Sequence, residues 1–149
     1  MTEAAIINDL YSYYGHTRGG KKSKLMLDCA YVWNWESDFV SLNSSGYYIE
    51  CEVKCSKADF KADFSKEKRH KCLSSKLPCR RPNKFLFVTP VGMIDVKEIP
   101  SYAGLLYYLP EDNWFVEVKP APFLHKTKMN LFEAIAVKLM YKYLNLRKK

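Results

Sequence analysis

The chain lacks the features that would place it in a membrane or outside the cell. No apolar run approaches the roughly 20 residues that a spanning helix needs. The opening stretch Met1-Thr-Glu-Ala-Ala-Ile6 has neither the basic start nor the apolar centre of a signal peptide. Cysteine never occurs as Cys-x-x-Cys, and a zinc set drawn from His70, Cys72 and Cys79 has no clear fourth ligand. Five cysteines is an odd count, and Cys51 and Cys55 are expected to be buried free thiols on the apolar face of a strand. These absences predict a cytoplasmic protein with no membrane partner. There are no internal repeats, no low-complexity tracts and no helix-turn-helix, so residues 1–149 are expected to form a single domain. With 48% hydrophobic and 15% aromatic residues, disorder is excluded.

The hydrophobic pattern sets out the elements. Residues 4–14 carry Ile6, Ile7, Leu10, Tyr13 and Tyr14 at helical spacing. Strands are predicted over 25–33, 38–42 and 47–55, the last two joined at Ser45-Gly46. A helix follows over 56–73, opened by the cap-like run Ser56-Lys-Ala-Asp59 and packing Phe60 and Phe64 inward. Further strands are predicted over 84–89, 104–109 and 114–119. The chain then enters a helix over 130–144, with Phe132, Ile135, Ala136, Leu139, Met140 and Tyr143 on one side. The order α-β-β-β-α-β predicts an α/β (α+β) fold, a mixed β-sheet flanked by helices.

The chemistry concentrates around the predicted hairpin. Side chains alternate along a strand, so Glu50, Glu52 and Lys54 share one face and Cys51, Val53 and Cys55 the other. An antiparallel return brings Asp38 back beside Glu52 and Lys54. Two carboxylates and an ammonium at neighbouring strand ends can hold a divalent metal beside a positioned water. Acid-x-Lys also occurs at Asp59-Lys61, Asp95-Lys97 and Glu117-Lys119. Only the first instance has a preceding acid on a paired strand and a helix start directly after it. The same pattern fits a hairpin with a solvated charged face, Glu52 and Lys54 simply pairing. Glu50 is either an auxiliary ligand or a solvent-facing strand residue.

The formal net charge of +8 lies in one segment: residues 54–84 hold eleven Lys/Arg against three acids, and the rest of the chain balances. Such a patch attracts a polyanion, and Lys57, Lys66, Lys68, Arg69, His70, Arg80 and Arg81 are its candidate phosphate contacts. A Gly-rich basic stretch adds Arg18, Lys21 and Lys22. On a continuous helix Asp59, Asp63, Lys66 and His70 fall on one stripe. Lys66 and His70 then reach toward a phosphate, or Asp63 and Lys66 pair as surface charges.

The run from Glu36 resembles the PD-(D/E)XK nuclease superfamily, whose signature is an acid, a spacer and Asp/Glu-x-Lys. The matching residues are Asp38, Glu52 and Lys54. It is similar to a small single-domain branch, the MmcB-like DNA-repair proteins and their phage relatives. The likeness rests on Ser45-Gly46, Ser56, Asp59-Phe60, Asp63, Lys68-Arg69-His70, Pro82-Asn83-Lys84-Phe85, Gly104 and Pro120-Ala-Pro122, within residues 36–125. Ser37 stands where the superfamily name has proline, and Glu36 and Asp38 both stand as candidates for the first acid. The resemblance implies a restriction-endonuclease-like core and hydrolysis of phosphodiester bonds in nucleic acid, DNA first, dependent on Mg²⁺ or Mn²⁺. The context implied is repair or phage DNA metabolism in a bacterial or phage-infected cell. Asp38 and Glu52 would be the metal ligands, with Glu36 and Glu50 in reserve, and Lys54 would act on the attacking water. The rival reading is a non-catalytic nucleic-acid-binding module on the same fold. With no separate recognition domain, specificity is expected from a homodimer or a partner protein.

Overall fold

A computed structural model of the chain describes residues 1–15, 20–76 and 79–148. Six strands form one sheet in sequence order: β1 (Leu25–Tyr31), β2 (Glu36–Leu42), β3 (Tyr48–Val53), β4 (Lys84–Pro90), β5 (Gly104–Leu109) and β6 (Trp114–Lys119). β1, β2 and β3 form an antiparallel meander, β4 and β5 run parallel to β3, and β6 returns antiparallel. The sheet is therefore mixed. The parallel pairs need crossovers, and the first is helical: α2 (Lys57–Asp63) and α3 (Glu67–Ser74) link β3 to β4. A 3-10 helix at Val96–Glu98 lies within the second.

Both faces of the sheet are covered. α1 (Glu3–Tyr14), capped by the Thr2 hydroxyl, buries Ile6, Leu10 and Tyr14 against Phe39, Cys51, Val53 and Leu86. On the opposite face Phe60 and Leu73 from the crossover pack on Phe85, Phe87 and Leu105. Farther along that face, Ile135 of α4 (Phe132–Arg147) meets Leu27, Val40 and Tyr48. Asn83 locks the segment after β6 to the sheet. Its buried side chain accepts from the Tyr48 amide and donates to the carbonyls of His125 and Thr127.

Several expectations change. The helix expected over 56–73 is broken, because the chain turns at residues 64–66 and restarts as α3. Cys55 lies beyond the end of β3 and is exposed, whereas Cys51 is buried as expected. Cys72 and Cys79 are disulfide-bonded, which withdraws both from a zinc set with His70. On α4 only Ile135 is buried, and the rest of its apolar side stays exposed. Among the described residues no helix is long and apolar enough to cross a membrane.

Candidate functional site

The β2–β3 hairpin closes on a turn built by Asn43. Its side-chain oxygen accepts the amides of Ser45 and Tyr47, and Gly46 takes φ +90, a conformation that favours glycine. The resulting register pairs Phe39 with Cys51 and Val40 with Glu50. Phe39 and Cys51 face α1, so Asp38, Glu50 and Glu52 fall on the other side, toward α2 and α3. Asp38 accepts the Val53 amide at 2.8 Å. Glu36, the other candidate first acid, is exposed at the start of β2. Immediately after β3, Ser56 caps α2 by accepting the Asp59 amide at 3.1 Å, so the crossover begins over the strand end.

Glu52 and Lys54 are buried, and neither lies on a solvated charged face. Lys54 Nζ sits 3.0 Å from Glu52 Oε1 and 2.8 Å from Asp63 Oδ1. Arg69 Nη1 approaches Glu52 Oε1 at 3.3 Å, and Arg69 Nη2 pairs with Asp63 Oδ2. Lys66 lies 3.7 Å from Glu52 and 3.4 Å from Asp63. His70 Nε2 meets Asp63 Oδ2 at 2.8 Å, where an ionised carboxylate requires a donor. In the neutral ring Nδ1 is then left to accept the Tyr102 hydroxyl. Asp63 is thus a buried hub for Lys54, Lys66, Arg69 and His70, not half of a surface pair.

The break after α2 makes this hub possible. On a straight helix residues six apart lie about 120° round the axis and about 9 Å along it, and residues seven apart are separated by about 10 Å. Turning the chain at 64–66 folds Arg69 and His70 back onto Asp63. Tyr102 and Trp35 complete the surroundings, and no spacing rule singled them out. The sequence signals for Asp63 were its place on the charged helix stripe and its part in the family resemblance.

Burial and charge set the protonation states. Burial, reinforced by the neighbouring Glu52 charge, pushes the Asp38 carboxyl up to about 7. Glu50 is fully enclosed, and burial pushes it up to about 8 although Trp35 Nε1 donates to both of its oxygens, at 2.9 and 3.1 Å. It is neither solvent-facing nor free. Burial alone would lower Lys54, but Glu52 and Asp63 outweigh it and hold the ammonium above its usual range. Burial would raise Asp63, but His70, Lys54 and Arg69 hold it far below the usual carboxylate range. Glu52 Oε2 is buried with no hydrogen-bond partner among the described residues, as are Arg69 Nε and the Ser37 hydroxyl nearby.

A cavity of about 510 Å³ is lined by Asn34, Trp35, Lys66, Lys68 and Arg69 among others; Asp38, Glu52 and Lys54 do not line it, and Lys66 and Arg69 connect it to Glu52. Lys57 and Arg80 are exposed on the same basic segment. Arg81 sits elsewhere. It is buried and donates to the carbonyls of Cys72, Leu73, Ser75 and Leu124, satisfying the C-terminal end of α3. Lys21 lies over the Tyr13 ring at 4.7 Å, on the α1 side of the sheet and away from Glu52. Lys22 is exposed beside it. Arg18 lies outside the described residues.

As a cation site, Asp38 and Glu52 fit in donor chemistry: two hard carboxylates, one with a buried oxygen lacking a partner. Among the described residues no group of three or more His, Cys, Asp or Glu side chains is disposed to hold a metal ion.

No family model and no curated protein matches this sequence. A solved structure of a protein of unknown function from Silicibacter pomeroyi is similar, with TM-score 0.52 and 16% identity over 83% of this chain and 75% of that one. At that identity the likeness extends to the fold alone. The chain is a mixed α/β protein with a six-stranded sheet flanked by helices.

Proposed function

We propose that the chain is a Mg²⁺- or Mn²⁺-dependent nuclease acting on nucleic acid, DNA first, on a restriction-endonuclease-like core of the PD-(D/E)XK type. The observation that carries this reading is Glu52. It is buried and paired through one oxygen with Lys54, its other oxygen has no hydrogen-bond partner among the described residues, and the hairpin sets it on the same side as Asp38. A buried carboxylate oxygen without a partner is costly and calls for an occupant.

Asp38 and Glu52 would hold the ion. The chemistry a bound Mg²⁺ or Mn²⁺ ion supplies is acidification of water and neutralisation of phosphate charge. Asp38, raised to about 7, gives up its proton when a cation binds, so binding tightens as pH rises toward 8. Lys54 remains an ammonium between Glu52 and Asp63, so it serves as a cation that stabilises charge on the phosphate, not as a base. Lys66, with an exposed side chain, lines the cavity and sets its Nζ 3.7 Å from Glu52. The cavity's aromatic and basic lining suits a nucleotide beside the scissile phosphate: indole for base stacking, ammonium groups for the backbone.

One observation favours the rival reading of a binding module without catalysis. Lys54, Lys66 and Arg69 already neutralise the carboxylates, as they would in a purely structural ion network. The two readings separate on one experiment. Purified protein is incubated with single-stranded and duplex DNA in Mg²⁺ or Mn²⁺, with EDTA and Glu52→Gln as controls. Metal-dependent products that vanish in both controls support the nuclease. DNA retention without products supports the module.

A further inference from the structure

Among the described residues nothing covers the outer side of α4. Ile135 is the residue that anchors the helix to the sheet, while eight large apolar side chains of the same helix are exposed, among them Tyr143 at 59% and Leu146 at 65%. At 100° per residue they spread over more than half of the helix circumference, and Val137, Met140 and Leu144 are the three that fall opposite Ile135.

The arrangement specifies the occupant. Glu133, Val137, Met140, Leu144 and Arg147 recur at i, i+4, i+7, i+11 and i+14, the repeat of a two-helix seam. They lie about half a turn round from Ile135, so the seam points away from the sheet. It is acidic at its N-terminal end, apolar in the middle and basic at its C-terminal end. Val137, Met140 and Leu144 are 43%, 47% and 41% exposed. Laid antiparallel on an identical helix about Met140, the seam complements itself. Val137 meets Leu144 of the other copy, and Glu133 meets Arg147 of the other copy, twice over. Self-complementarity about a two-fold axis is what an isologous dimer requires. A parallel pairing sets like charges together at both ends. A bilayer would meet Lys138 and Lys142 favourably but would have to take in Glu133 on the same outward side as Met140.

We propose that α4 is a homodimer interface, two copies of the chain pairing this helix antiparallel across a two-fold axis at Met140. The pairing does not depend on the nuclease reading.

Sedimentation velocity over a protein series of roughly 1–100 µM tests it. The unaltered chain is expected to dimerise, and Met140→Glu to sediment as a monomer with an unchanged circular dichroism spectrum, since the residue lies outside the packed core. Glu133→Arg and Arg147→Glu should each weaken dimerisation about tenfold, because each turns two attractive end contacts repulsive. Combining them reverses both ends and should restore the dimer to within about threefold of the original. A chain that stays monomeric throughout overturns the proposal. So does a dimer indifferent to Met140→Glu, or a double variant no better than its parents. Flotation with vesicles of anionic lipid, lost in Met140→Glu and unaccompanied by dimerisation, would assign the face to a membrane instead.

Discussion

Replacing Asp38 by asparagine should stabilise the metal-free protein and abolish its response to divalent ions. The carboxyl rises from 3.8 to about 7 in the fold, because burial and the Glu52 charge both penalise its ionised form. A folded-state pKa above the unfolded value means the native state binds the extra proton at intermediate pH. Stability from this group is therefore present at low pH and lost as pH rises through about 4 to 7. Between pH 5 and pH 8 the linkage integral gives a loss of about 2.6 kcal/mol, and partial exposure of the side chain brings this to roughly 1–3 kcal/mol. An asparagine keeps an oxygen for the Val53 amide but carries no charge. Thermal melts in EDTA should show the variant and the parent diverging with pH. At pH 8 the parent should melt lower than Asp38→Asn by roughly 3–10 °C, with a smaller gap at pH 5. Adding Mn²⁺ should raise the melting temperature of the parent and leave the variant unmoved. Parallel melting curves at both pH values would refute the burial of an ionisable carboxylate at this position. An equal Mn²⁺ shift in both proteins would refute Asp38 as a ligand.

Lys54→Met should abolish cleavage while Mn²⁺ binding, read by calorimetry, stays intact or tightens, because a cation 3.0 Å from Glu52 Oε1 is removed. Asp63→Asn should lower stability by roughly 3–5 kcal/mol in urea unfolding, since Lys54 and Arg69 lose a shared buried counter-charge. Its own pKa is depressed, so that stabilising contribution is present above the unfolded carboxylate pKa and fades as the pH falls. A urea midpoint close to that of the parent would show that Asp63 is not the hub. Replacing Lys66 and Lys68 together by Gln should flatten the log–log salt dependence of duplex binding by roughly one to two units, measured by anisotropy in Ca²⁺. An unchanged slope would show that the charge of this segment does not contact phosphate.

Most of the fold was legible in the sequence because its signals are local. The alternation through Glu50-Cys-Glu-Val53 and the Ser45-Gly46 turn define a hairpin, and a hairpin with a known turn has a known register. That register was sufficient to expect Asp38 beside Glu52. The excess of positive charge over 54–84 is likewise a plain count. The dispersal of that charge was not legible. Arg81 carries the same formal charge as Lys68, yet it caps α3 from a buried position while Lys68 lines the cavity. Nor did the helical stripe of Phe132, Leu139 and Tyr143 indicate that the body of the protein would leave it uncovered.

What the sequence by itself determined is the six strands and the first and last helices, the face each strand residue takes, and the pairing of β2 with β3. Periodicity and turn chemistry operate over a few residues, so a single chain suffices to read them. What only the tertiary structure decided is the convergence of Asp63, Arg69, His70 and Tyr102 on the Glu52–Lys54 pair. It depends on a turn at 64–66 that no strong breaker announces, and on a crossover that must lie over β3 to link it in parallel to β4. The burial of Glu52 and Lys54 follows from the same packing. Whether a charge meets water or another charge is settled by what lies above its strand, and that is a property of the assembled layers.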